Sequence, residues 1–141
     1  MNATLLAVIT AAAWGIGGFF EKKGLHLGHL SPQLGITLRT GVAFLVLAVA
    51  SAPHWKHLPQ AGTKALLLMI LGGGVLAGSI GMLCFYAAIK AAPLSKVMPI
   101  AFTSPLFGVL IALVLGQEEW NVRVIVGMAL TVGGIVLLTS R

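Results

Sequence analysis

The side chains with the widest chemical range in this sequence are three carboxylates, four histidines, a single cysteine and one arginine set inside an apolar run. The carboxylates are Glu21, Glu118 and Glu119, and each is read as lying near the end of an apolar stretch. A proton-coupled carrier usually needs an acidic side chain deep among its helices, so coupling through a central carboxylate is disfavoured. His26 and His29 sit in one connection and His54 and His57 in another, with no carboxylate or cysteine beside them. Such pairs lack the donor set of a zinc site, so no metal is expected. Cys84 lies in an apolar run and has no second cysteine to pair with, which leaves neither a disulfide framework nor a CxxC site. GxSxG, HExxH and the P-loop lysine are all missing. Gly15-Ile16-Gly17-Gly18 is embedded in apolar residues and is no phosphate cradle. Catalysis is not expected, and neither is a cofactor.

Arg39 has two readings. Its long side chain either snorkels to a membrane surface or carries a functional charge into a cavity. Trp14, Met82, Phe85, Tyr86, Met98 and Phe102 have the aromatic and thioether character that lines a cavity, although each also suits ordinary packing. Trp55 and Trp120 fall at the ends of apolar runs, where amphipathic rings settle at an interface.

The elements that must position these residues follow from composition. Of 141 residues, 58% are hydrophobic and 9% charged, too few charges to cover a water-exposed surface. The net charge of +6 is therefore read as loop charge at a membrane surface, not as a nucleic-acid footprint. A helix needs about 20 apolar residues to cross the hydrocarbon core. Five stretches meet that length, at residues 2–20, 33–52, 65–89, 95–116 and 121–140. The fold class is an all-α membrane protein with five transmembrane helices and short loops. Lys22 and Lys23 follow the first apolar run instead of preceding it, the reverse of a cleaved signal peptide. Five spans put the two ends on opposite sides. Lys56, Lys64 and Arg123 lie on the amino-terminal side, and Lys22, Lys23, Lys90, Lys96 and Arg141 on the other, joined by Arg39 if it snorkels that way. The bias toward an outside amino terminus is small and is compatible with insertion in both orientations.

Most of the 18 glycines fall inside the spans. Small residues let helices approach closely in lipid, and Gly74, Gly78 and Gly81, at i, i+4 and i+7, form a GxxxG-type face on the third helix. Ala129 and Gly133 repeat the spacing on the fifth. These faces either pack helices within one bundle or meet another subunit. In the fourth helix Pro99 and Pro105 each remove an N–H and crowd the carbonyl four residues earlier, at Ser95 and Ala101, so a kink is expected. Thr103 and Ser104 stand beside the second proline, where a hydroxyl can satisfy a freed carbonyl. Irregular backbone at membrane depth is tolerated when buried in protein or lining a polar cavity, so this helix is also a candidate wall of a substrate route.

Five ordered features bring the chain close to a known family. They are Ala13-Trp14-Gly15, Leu38-Arg39, the run Cys84-Phe85-Tyr86-Ala87-Ala88-Ile89-Lys90 with its short connection to Pro93, the helix holding Pro99 and Ser104-Pro105-Leu106-Phe107, and Leu115-Gly116-Gln117-Glu118. Together they resemble the EamA-type domain of the drug/metabolite transporter superfamily over nearly the whole chain. The departure is Gln117, where the family more often has glutamate directly after the glycine.

The resemblance implies a single EamA-like repeat, residues 1–141, in a family whose members mostly pair two five-helix halves of opposite orientation. By that likeness the chain is expected to act as a homodimer, with an antiparallel arrangement, in the bacterial inner (plasma) membrane. The implied function is secondary transport, as an exporter of small metabolites by alternating access. Its partners are then a small-molecule substrate and membrane lipid, with no nucleic acid. Carried over residue by residue, Trp14, Ser79, Met82, Tyr86, Met98, Phe102, Thr103 and Ser104 become candidate cavity positions, and Pro99 and Pro105 candidate pivots. The alternatives are a lipid or lipid-linked sugar flippase subunit and a non-transporting membrane assembly partner. A drug exporter like the small multidrug resistance family is disfavoured, since that mechanism uses a glutamate within the first helix and residues 2–20 contain no acid.

Overall fold

The computed structural model describes residues 2–140. Among them five helices are long and apolar enough to cross a bilayer: α1 (Ala3–Leu27), α2 (Pro32–Ser51, prolonged by tighter turns over Ala52–Ala61), α3 (Thr63–Ala91), α4 (Leu94–Val114) and α5 (Val122–Thr139). Arg141, included in the charge comparison above, lies outside the described residues.

Local chemistry explains the ends. Asn2, Ser31 and Asn121 each offer a side-chain oxygen to a backbone N–H of the first turn, at 3.1 Å from Thr4, 3.2 Å from Leu34 and 2.9 Å from Arg123 respectively. These bonds satisfy donors that the helix itself leaves open, and Pro32 follows Ser31 where its missing N–H does no harm. The first helix runs past Glu21-Lys22-Lys23, beyond the expected limit at residue 20, and stops only at Gly28 and His29, the latter with φ of 48°. Charge alone does not interrupt the backbone ladder; a residue in the left-handed region does. Gly62, with φ of 77°, ends the tight turns after α2 in the same way.

The middle of α3 is wider than an ordinary helix. Over Leu68–Gly81 the backbone bonds to the fifth residue back instead of the fourth, and the Ser79 hydroxyl follows the same register by donating to the Gly74 carbonyl at 2.9 Å. In α4 the chain breaks at Phe102 and Thr103, between the segments Leu94–Ala101 and Ser104–Val114. Pro105 stands in the first turn of the second segment, where the N–H that it lacks is not missed.

The described residues form two compact units, one ending at Ala91 and one beginning at Ala92. In the first, α1, α2 and the carboxyl-terminal part of α3 meet around Leu25, Tyr86 and Ile89, which are almost fully buried. In the second, the Leu94–Ala101 segment packs on α5 and Leu113 is buried. Nearly all other large apolar side chains are exposed. A surface so apolar is stable only in hydrocarbon or against other protein, and the chain is an integral multi-pass membrane protein.

Candidate functional site

The chemically active side chains of the first unit collect where its three helices meet. Arg39 on α2 donates from Nε to Oε1 of Glu21 on α1 at 2.9 Å. The Tyr86 phenol on α3 stands close enough to interact with both. A lone charge within a span is expensive, whereas an opposed pair is neutral as a unit and holds its two helices in one register. Arg39 lies seven residues into α2, about 10 Å along its axis. It therefore has a partner within the bundle. Glu21 is inside α1 and not at its end, six residues before Leu27, which corrects its expected position.

The approach is made possible by Gly35. A methyl group there would lie 2.5 Å from Leu25 Cδ2 and 3.0 Å from Tyr86 Cδ1 and Cε1, so the α2 backbone rests directly on the other two helices. Two lysines close the end of the same cluster. Lys22 Nζ donates to the Ile89 carbonyl at 2.7 Å, one of the last acceptors of α3, and Lys90 Nζ donates to the Leu30 carbonyl at 2.6 Å. Cations suit such positions because the end of a helix exposes unpaired carbonyls of partial negative charge.

Beside this cluster a groove of about 590 Å³ runs between α2 and α3. Gln33, Ile36, Thr37, Thr40, Gly41 and Phe44 form its α2 wall, and Gly78, Ser79 and Leu83 its α3 wall. Thr37 and Ser79 donate their hydroxyl protons to backbone carbonyls of their own helices, at 2.8 and 2.9 Å, which leaves oxygen lone pairs as acceptors. Gln33 stands two residues after the cap Ser31, and Phe44 lies about 16 Å further along α2. Polarity therefore falls from one end of the groove to the other.

Of the sequence-derived cavity candidates, Trp14, Ser79, Met82 and Tyr86 belong to the first unit and Met98, Phe102, Thr103 and Ser104 to the second. Ser79 lines the groove, Tyr86 is buried at 2% exposure beside the ion pair, Met82 is half-buried and Trp14 is exposed. In the second unit Met98 and Thr103 are half-buried and Ser104 is exposed. Phe102 and Thr103 form the break itself, where Thr103 Oγ1 donates to the Ile100 carbonyl at 2.7 Å and the Phe102 N–H reaches the Met98 carbonyl at 2.9 Å.

The glycine face on α3 differs from its expected form. The wider turn moves Gly74, Gly78 and Gly81 off a single i, i+4, i+7 line, and a methyl at each would meet the carbonyl five residues back, at 3.9, 2.9 and 3.4 Å. Among the described residues of its own unit, no neighbouring helix comes within 4 Å of a methyl at any of those positions, nor of one at position 133 on α5. Sequence reasoning passed over Glu21 as a bundle residue, Gly35, and the α2 wall of the groove. The wall carried a readable signal. Residues 33, 36, 37, 40, 41 and 44 follow helical spacing along one side of α2 and include an amide, two hydroxyls and a glycine in an otherwise apolar helix.

Residues 1–140 match the family described as EamA-like transporters. The chain belongs to the EamA-like transporter family. A relative from Archaeoglobus fulgidus, described as an uncharacterized transporter, is 28% identical over 131 residues, which are 92% of this chain and 45% of the relative. The EamA-like chain thus spans about half the length of the curated relative it matches. No solved structure matches it.

Proposed function

We propose that the chain supplies one five-helix half of a secondary transporter that exports small metabolites, with two halves rocking about a shared route by alternating access. The family match over residues 1–140 carries this reading. The second half is a further copy of this chain, in an antiparallel homodimer. Support comes from the relative of roughly double length and from the near balance of loop charge. In the first unit the candidate route positions are the α2–α3 groove with Ser79, and Trp14, Met82 and Tyr86; in the second unit, taken by itself, they are Met98, Phe102, Thr103 and Ser104 around the α4 break. Pro99 and Pro105 act as its pivots.

The test is transport. Purified protein in liposomes, given an imposed gradient and a panel of amino acids, amines and sugars, is expected to move at least one class of solute; movement of none overturns the proposal. Labelling of each terminus by an impermeant reagent in intact cells is expected to show mixed orientations, and one fixed orientation overturns the antiparallel arrangement. One observation favours a second reading, a flippase for lipids or lipid-linked sugars. The groove is polar at Gln33 near the helix start and apolar at Phe44, as an amphiphile would require. Translocation of a fluorescent lipid across reconstituted vesicles, without solute transport, would select it.

A further inference from the structure

The ion pair between α1 and α2 leaves most of the arginine unused. Only Nε of Arg39 is bonded to Glu21, and both terminal Nη groups have no hydrogen-bond partner among the described residues. A guanidinium carries five N–H donors in a planar fork that fits a carboxylate or phosphate through two parallel bonds. The four remaining donors belong to a side chain that is 40% exposed and about 10 Å along a membrane-spanning helix, where an anion can reach them. Donors without an acceptor are costly in hydrocarbon.

We propose that Arg39 is a binding site for a single anionic group, carboxylate or phosphate, and that Glu21 takes up one proton when the anion binds. This names a feature of the substrate and rests on the transport reading above for its purpose, though not for its detection. The balance of charge requires the proton. At rest, Arg39 and Glu21 cancel. An entering anion would leave one uncompensated negative charge at membrane depth, whereas a proton from solvent on the Glu21 carboxyl keeps the site neutral and frees Arg39 for its new partner. No bond other than hydrogen bonds is exchanged: the anion accepts from the guanidinium, and protonated Glu21 becomes a donor.

The groups facing Glu21 are consistent with this exchange. On α2 stands Arg39 and on α3 Tyr86; the nearest lysines along the chain at this end, Lys22 and Lys90, are held to the Ile89 and Leu30 carbonyls. With one more proton bound in the anion complex than in the free protein, binding strengthens as pH falls.

The test is calorimetric titration of the purified full chain in nanodiscs between pH 5 and 8. Benzoate and inorganic phosphate are the probes in neutral lipid, and phosphatidate-containing discs provide a separate arm for a lipid headgroup. Two buffers of different ionisation enthalpy count the protons. About one proton taken up per anion bound, in any arm, supports the proposal, and the positive arm identifies the source. Glu21→Gln keeps the shape of the pair and removes its charge; it is expected to bind anion at least tenfold tighter at pH 8 and to lose the pH dependence. Arg39→Gln is expected to lose binding at least tenfold at every pH, with partial rescue in Arg39→Lys. Should Arg39→Gln fail to fold, the neutral Glu21→Gln/Arg39→Gln pair replaces it, judged by helical circular dichroism and a single elution peak. No binding in any arm, binding without proton uptake, or an unchanged pH profile in Glu21→Gln overturns the proposal. None of these measurements requires transport, so their failure is separable from failure of the transport reading.

Discussion

Replacing Gly35 by alanine adds one methyl group at the point where three helices come closest. Its carbon would sit 2.5 Å from Leu25 Cδ2 and 3.0 Å from two Tyr86 ring carbons, distances at which something must move. Neither neighbour has room, since Leu25 and Tyr86 are each 2% exposed. Overpacking of this kind costs about 1–3 kcal/mol. Alanine's better helix preference returns about 0.5–1 kcal/mol, which leaves a net loss of up to about 2.5 kcal/mol. Gly41, on the same helix, has nothing within 4 Å, so Gly41→Ala receives only the favourable part. The difference between the two variants, about 1–3 kcal/mol, therefore isolates the close approach. Reversible unfolding of the purified protein in dodecyl maltoside, titrated with sodium dodecyl sulfate, measures it. A second arm shortens the obstructing side chain: Leu25→Ala is expected to cost less in the Gly35→Ala background than alone, because the new methyl fills part of the space. Equal stabilities for Gly35→Ala and Gly41→Ala would refute the argument that the α2 backbone rests on α1 and α3.

Three further outcomes are expected. Pro105→Ala removes the ring that fixes the first turn of the Ser104–Val114 segment, so membrane insertion persists while transport slows; an unchanged rate removes α4 from the gating account. Gly78→Ala would bring a methyl to 2.9 Å from the Gly73 carbonyl, a backbone atom that cannot rotate aside, so α3 is expected to return to ordinary turns and Ser79 to lose its bond to Gly74. The reactivity of a cysteine placed at Ser79 toward a maleimide reports that change, and equal reactivity with and without Gly78→Ala contradicts it. Thr40→Val keeps the volume of the groove wall and deletes one hydroxyl, worth about 0.5–1.5 kcal/mol if a transported solute bonds to it. KM in liposomes is then expected to rise about twofold to tenfold, and an unaltered KM places the solute elsewhere.

The spans were legible because the properties that define them are local. Hydrocarbon thickness sets a length, and apolar runs meet it five times. The ends were less legible. Glu21-Lys22-Lys23 resembles a membrane boundary in sequence, yet α1 continues to Leu27, because Glu21 finds Arg39 and Lys22 finds the Ile89 carbonyl. The α4 break lies between its two prolines, at Phe102 and Thr103, where the Thr103 hydroxyl and N–H both donate to the Ile100 carbonyl. The groove wall on α2 was present as a helical stripe, but its meaning depended on Gly78 and Ser79 lying opposite.

By itself, then, the sequence determined the solvent, the number of crossings, the family and which side chains are chemically unusual in an apolar setting. Only the tertiary structure decided that Glu21, Arg39 and Tyr86 form one cluster, that Gly35 is the point of closest approach, and that α3 widens over Leu68–Gly81. The reason is the uniformity of lipid. In water, an apolar stripe declares which face of a helix turns inward; in hydrocarbon every face is apolar, so the register between helices is set by a few close contacts and polar pairs whose partners lie far apart along the chain.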